Sequence, residues 1–311
     1  MGVFNADKVI KEHISEVDLC TYFVGFDLDD NGNSVYRLNN LVNLLIKAIP
    51  EFALGFHQGT NTANTNLVPV LTEAAKSIYK IPEFQKVNEI YSSGSEISDD
   101  VAEKYLKRGE FGELILHLLL REYHDTIPLL SKIYFKDSYG STVHGFDAIH
   151  IQESTNSLWL GESKLYTIGK DGVSALIDDI KSHFVRDYMN DEFAIVSKKI
   201  NLFDEIPDKD CWIKLLESTT TLKEQLKSIT IPLLCTYQSA HFTDFDDETS
   251  KEFIVAYEKE VRTLKDHFDS KNNHPLKTNL NIILLLFPVQ SKKELITKLH
   301  KKLKMLQSLE D

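Results

Sequence analysis

Three charged residues, Asp147, Glu162 and Lys164, interrupt an otherwise apolar face of the runs 145–152 and 157–166. Two β-rich runs, 145–152 and 157–166, flank the polar segment ESTN at 153–156, which is the pattern of a hairpin. With the turn at Ser154 and Thr155, antiparallel pairing sets Asp147 opposite Glu162. Directly opposed residues have Cβ atoms roughly 4.5–5.5 Å apart, and two carboxylates that close repel unless a cation lies between them. Lys164 is two residues beyond Glu162, so strand alternation puts it on the same face. The remaining residues of that face, Ile149, Ile151, Leu158 and Leu160, belong to a core. Phosphodiester hydrolysis asks for this set: carboxylates to hold Mg²⁺ against a nonbridging oxygen, and a cation beside the attacking water. Asp147, Glu162 and the carbonyl of Ser163 are the expected metal ligands, and Lys164 the group that orients and acidifies the water. Oxygen ligands suit Mg²⁺ and Mn²⁺ alike.

Such a hairpin needs elements to hold it. Upstream, residues 110–124 carry Phe111, Leu114, Ile115, Leu118 and Leu119 at helical spacing, with Glu113, His117 and Arg121 as a polar stripe four residues apart. A further β-rich run covers 128–135. Downstream, Val173, Leu176, Ile177, Ile180 and Phe184 predict a helix entered through Asp171 and Gly172. The apolar runs 231–237 and 282–289 read as strands, separated and preceded by charged helical segments. Nearer the start, 38–49 predicts a helix and the polar run 59–66 a loop, while YSSGSEISDD at 91–100 has linker composition. The last helix, 291–309, opens with Ser291 and Glu294 in capping-box spacing and carries a stripe of Leu295, Ile296, Leu299, Leu303 and Leu306. The fold class expected is mixed α/β.

The segment G145-F-D147, followed after fourteen positions by E162-S-K164, resembles the GxD…ExK signature of the PD-(D/E)xK nuclease superfamily. Gly145 and Phe146 stand where that superfamily usually has a proline or other small residue ahead of the aspartate. The resemblance implies a restriction-endonuclease-like mixed sheet flanked by helices. It also implies a further glutamate from the preceding helix, a place Glu113 matches as a fourth catalytic and metal-binding residue; the alternative for Glu113 is pairing with His117 or Arg121. RGEFGE, HGFDAIHI and LWLGESKLY are similar to the effector nuclease subunits of the Hachiman antiphage defence system, over most of residues 100–290. Those subunits work with a superfamily 2 helicase, so this second resemblance implies DNA as substrate and a helicase as partner. The expected organisation is a nuclease domain over 96–311 and an N-terminal accessory lobe over 1–95.

Composition bounds these readings. A chain of 311 residues, 42% hydrophobic and 26% charged, can bury a core. Cys20, Cys211 and Cys235 are too few and scattered for a disulfide framework or zinc site. The amino terminus lacks the apolar run of a secretory signal, and 282–289 is far shorter than the ~20 residues that cross a bilayer, so a cytoplasmic protein without membrane contact is expected. The net charge of −12 argues against autonomous grip on nucleic acid and supports a rival from another class: a noncatalytic adaptor of a helicase complex. His144 and His150 flank the aspartate without a second histidine at metal spacing and read as structural; Lys170 and Lys181 read as solvated. The lysine face of the last helix reads as solvated, with DNA or a helicase as its alternative contact.

Overall fold

The computed structural model describes residues 3–55, 67–79, 110–131, 145–201, 208–217 and 219–309. Among these, the strands are β1 (Ile10–Ser15), β2 (Leu19–Val24), β3 (Phe26–Leu28), β4 (Ser34–Tyr36), β5 (Ile127–Ser131), β6 (Ala148–Gln152), β7 (Ser157–Tyr166), β8 (Ile229–Gln238) and β9 (Asn281–Val289). Seven of them form one mixed sheet in the order β1-β2-β9-β8-β7-β6-β5, and β3 and β4 pair separately. The β5-β6-β7 and β1-β2 neighbours run antiparallel, whereas β2-β9, β9-β8 and β8-β7 run parallel. Parallel strands are covered on both faces, which is why β8 (ITIPLLCTYQ) and much of β9 (NIILLLFPV) read as continuous apolar runs rather than alternating ones. The strands expected over 231–237 and 282–289 lie within β8 and β9.

Helices α1 (Leu38–Leu54), α2 (Leu67–Tyr79) and α3 (Glu110–Tyr123) cover one face. The helices α4 (Gly169–His183), α5 (Arg186–Asn201), α6 (Lys209–Leu216), α7 (Leu222–Lys227), α8 (His241–Asp244) and α9 (Lys251–Lys271) follow, and their apolar sides fill the core on the other face. The last helix, α10 (Lys292–Gln307), returns to the first face. Its cap is as expected, with Ser291 Oγ accepting from Glu294 N at 3.2 Å, and all five residues of its apolar stripe are buried. At about 1.5–3 kcal/mol per buried large aliphatic side chain, that stripe is ample to dock the helix. No helix among the described residues is long and apolar enough to cross a membrane.

Three outcomes differ from the sequence reading. Residues 10–24 form two strands of the main sheet, β2 pairing in parallel with β9 through Leu19↔Leu284 to Thr21↔Leu286; the boundary expected between 95 and 96, the loop at 59–66 and the linker at 91–100 lie outside the described residues. The helix expected from Val173 begins at Gly169. The strand expected over 128–135 spans Ile127–Ser131 in the described part, the rest lying outside it.

Candidate active site

The β6–β7 hairpin has the predicted register: Ala148↔Gly161, Ile149↔Leu160, His150↔Trp159, Ile151↔Leu158 and Gln152↔Ser157. A short 3-10 turn over Glu153–Thr155 closes it, with Asn156 at φ 51°, a left-handed conformation that asparagine tolerates. Ile149, Ile151, Leu158 and Leu160 face the α4 side, and His150 faces the other, buried against Thr126 Oγ1 at 2.8 Å and the His117 ring. His150 is structural, as read; His144 lies outside the described residues.

The regular ladder stops one residue before the expected Asp147–Glu162 pair. Phe146 packs with Phe184 in the α4-side core while Ala148 joins the α3-side core, so alternation breaks at Asp147. Asp147 N donates to Gly161 O at 2.9 Å. Its carboxylate crosses to β7, where Oδ2 accepts from Ser163 N at 2.9 Å and Ser163 Oγ at 3.0 Å. Glu162 and Lys164 share the α4 face, as alternation requires, and α4 supplies a partner for each. His183 Nδ1 lies 2.6 Å from Glu162 Oε1, and Lys164 Nζ lies 2.5 Å from Asp179 Oδ2.

Two glycines set these distances. A Cβ at Gly172 would stand 2.6 Å from Cys235 Sγ, so only glycine lets the start of α4 lie this close to β8. On the opposite face a Cβ at Gly161 would stand 2.8 Å from Leu116, letting α3 press on β7. Gly112 of α3 sits over Ser163, where an added Cβ would be 3.3 Å from Oγ. Glu113 is therefore adjacent to the point where α3 meets the residue bonded to Asp147, and it is buried at 4% exposure. Its stripe partners His117 and Arg121 turn to Glu51 of α1, with Arg121 Nε at 2.6 Å and His117 Nε2 at 3.3 Å from Oε1. That pair holds the Glu51 carboxyl down at about 2 despite burial, which alone would raise it.

The electrostatics follow from the geometry. Burial, and then the adjacent Asp147 carboxylate, push Glu162 up to about 7, against the opposing hydrogen bond from His183. Burial works to lower both Lys164 and His183, yet both are raised: Lys164 by Asp179 and the two carboxylates, His183 chiefly by Glu162. Near neutrality Lys164 is charged, and Glu162 and His183 compete for a proton.

Among the described residues no group of three or more His, Cys, Asp or Glu side chains stands arranged to hold a metal ion. The charged groups of Asp147, Glu162 and Lys164 are instead engaged by Ser163, His183 and Asp179 respectively. Even so, the donor chemistry fits a hard divalent cation: burial and, after it, repulsion from Asp147 raise Glu162, and such a cation would relieve the repulsion.

The sequence profile of the HamA family matches residues 3–303. The chain belongs to the HamA family. HamA is the effector family of the Hachiman antiphage defence system, which gives the chain a role in antiphage defence. No curated protein matches it as a relative. The HamA match takes in the N-terminal strands along with the hairpin, in keeping with the single sheet they share.

Sequence reasoning brought Asp147, Glu162, Ser163 and Lys164 together and missed Asp179 and His183. The two are four residues apart on α4, a polar step beside the apolar stripe, and that spacing was the available signal. Lys170 is exposed, and Lys181 lies 3.4 Å from Asp178 on the exposed side of α4.

Proposed function

We propose that this chain is a metal-dependent DNA nuclease with a PD-(D/E)xK-type site, acting as the effector of its defence system together with a helicase. The observation that carries the reading is the buried Asp147–Glu162 pair, mutually repelling, with the Lys164 ammonium on the same strand two residues away. Buried carboxylates without such a use are costly, so a fold that keeps two of them together is a functional candidate. Asp147, Glu162 and the Ser163 carbonyl would hold Mg²⁺ or Mn²⁺, with Glu113 as a fourth donor at the α3 end. The ion supplies a Lewis acid for the phosphate and lowers the pKa of its water.

The chain's own groups account for the rest. Lys164 stays protonated and gives a donor and a positive charge beside the nucleophile. Asp179 fixes the lysine, and His183 fixes the orientation of the Glu162 carboxylate from the side away from Asp147's bond to Ser163. The test is incubation of the purified chain, with and without its helicase, on linear, nicked and single-stranded DNA with added Mg²⁺. Cleavage that EDTA stops supports the reading. The noncatalytic adaptor, favoured by the charge of −12, predicts instead that Lys164→Ala leaves defence intact.

A further inference from the structure

On the face opposite α4, two open depressions of about 470 and 440 Å³ meet at Asn43 of α1. One lies between α1 and α10, the other between α1 and the segment around residues 4–9. Six cations line the two: Lys8, Arg37, Lys47, Lys298, Lys301 and Lys302. Amides of Asn5, Asn39, Asn40 and Asn43 fill the intervals, and no carboxylate among the described residues lines either depression. In a chain with 47 acidic residues and a net charge of −12, that is a marked local inversion. The only acidic residue of α1, Glu51, is buried and spent on Arg121.

The groove is also partly organised. Lys298 Nζ donates to Asn39 Oδ1 at 2.7 Å, and Arg37 donates from one terminal nitrogen to Lys8 O at 2.9 Å. Arg37 Nε is buried with no acceptor among the described residues.

We propose that this groove grips the phosphate backbone of nucleic acid, as an anchoring surface on the far side of the sheet from Lys164 and Glu162. Two classes of macromolecule carry enough negative charge to fill it, and its composition chooses between them. Interfaces with proteins are depleted in lysine and built around aromatic anchors, whereas five of these six cations are lysines and, among the described residues, Phe4 is the single aromatic side chain lining either depression. Lysine and asparagine side chains are the ordinary contacts of phosphate oxygens, and such contacts hold without reading sequence. The choice of ligand rests on the proposed action on DNA; the site's existence does not.

The test is fluorescence anisotropy of the full chain with a labelled duplex of arbitrary sequence in EDTA, so that no cleavage is needed. Six phosphate contacts give a slope of log K against log salt of about −5, or roughly a thousandfold loss between about 50 and 200 mM salt. A Lys298→Gln, Lys301→Gln, Lys302→Gln triple variant should bring the slope to about −3 and weaken low-salt binding at least tenfold. Arg37→Gln with Lys47→Gln should act in the same direction. A matched control, Lys251→Gln, Lys259→Gln and Lys271→Gln on exposed positions of α9, removes equal charge from the other layer and should bind as wild type does. Wild-type affinity in the groove variants, with unchanged melting temperatures, overturns the proposal, as does equal loss in the α9 control. Competition by polyglutamate but not by DNA would assign the groove to an acidic protein and equally overturn it. A chain that passes this test yet never cuts DNA would refute the nuclease reading alone.

Discussion

At the level of single residues, each charged group of the site is met by a neighbouring side chain. Ser163 donates twice to Asp147, His183 sits on Glu162, and Asp179 neutralises Lys164. Removal of any of Asp147, Glu162 or Lys164 should therefore abolish cleavage without unfolding the chain. Asp147→Asn is the cleanest of these, since it keeps an acceptor for Ser163 and removes only the charge. Because the three act on one reaction centre, a double variant should cleave no worse than the worse single one, within the error of a rate measurement. A pH effect on stability follows with a definite sign. The folded pKa of Glu162 is raised to about 7 from 4.5, so its contribution is fully present below about 4.5 and is lost as pH rises through about 7. His183, also raised, acts in the same direction. The full Glu162 shift corresponds to about 3 kcal/mol. Melts in EDTA between about pH 5 and 8 should show wild type losing more stability with rising pH than Glu162→Gln, and added Mg²⁺ should restore more at the upper end than the lower. Parallel pH curves for the two proteins would contradict the assignment of Glu162 as the strained carboxylate.

Elements decide whether those residues meet. The hairpin was legible because its alternation, turn and pair of interrupting carboxylates all agreed, and its register is the one read from the sequence. Asp147's exact placement was not legible, since the break in alternation comes from Phe146 packing on Phe184, a contact between segments distant in sequence. The strands β1 and β2 went unread for a similar reason: LCTYFV is buried on every residue and shows no period of two, and its partner is β9 at the other end of the chain. Helix α4 was found, but its first turn was not, because the glycines that admit it are explained only by the Cys235 and Tyr237 side chains beneath. Gly172→Ala tests that point. The added methyl has no room against Cys235, so the start of α4 must lift, at a cost of about 1–3 kcal/mol and with a large loss of cleavage as Asp179 and His183 move. Stability and cleavage equal to wild type would mean that α4 is not placed by this contact.

For the whole molecule, the HamA match and the sheet topology agree that the N-terminal segment belongs to the same structure. A chain starting at residue 96 would lose β2, uncover the β9 edge and strip α1 and α2 from α10, so it should be insoluble or molten by near-ultraviolet circular dichroism. A cooperative melt from that fragment would instead support an independent nuclease domain. With a net charge of −12, the proposed basic groove would have to hold DNA against general repulsion, and this is the ground for proposing delivery by a helicase. The nuclease reading hangs on whether the chain cuts DNA, and one experiment asks that most directly: Mg²⁺-dependent cleavage of linear, nicked and single-stranded DNA by wild type and by Glu162→Gln, each with the proposed helicase partner and ATP. The account predicts cleavage by wild type that EDTA stops and Glu162→Gln lacks, while both form the complex. Cleavage retained by a folded Glu162→Gln protein, or none by wild type on any substrate while the system still protects cells, would contradict it.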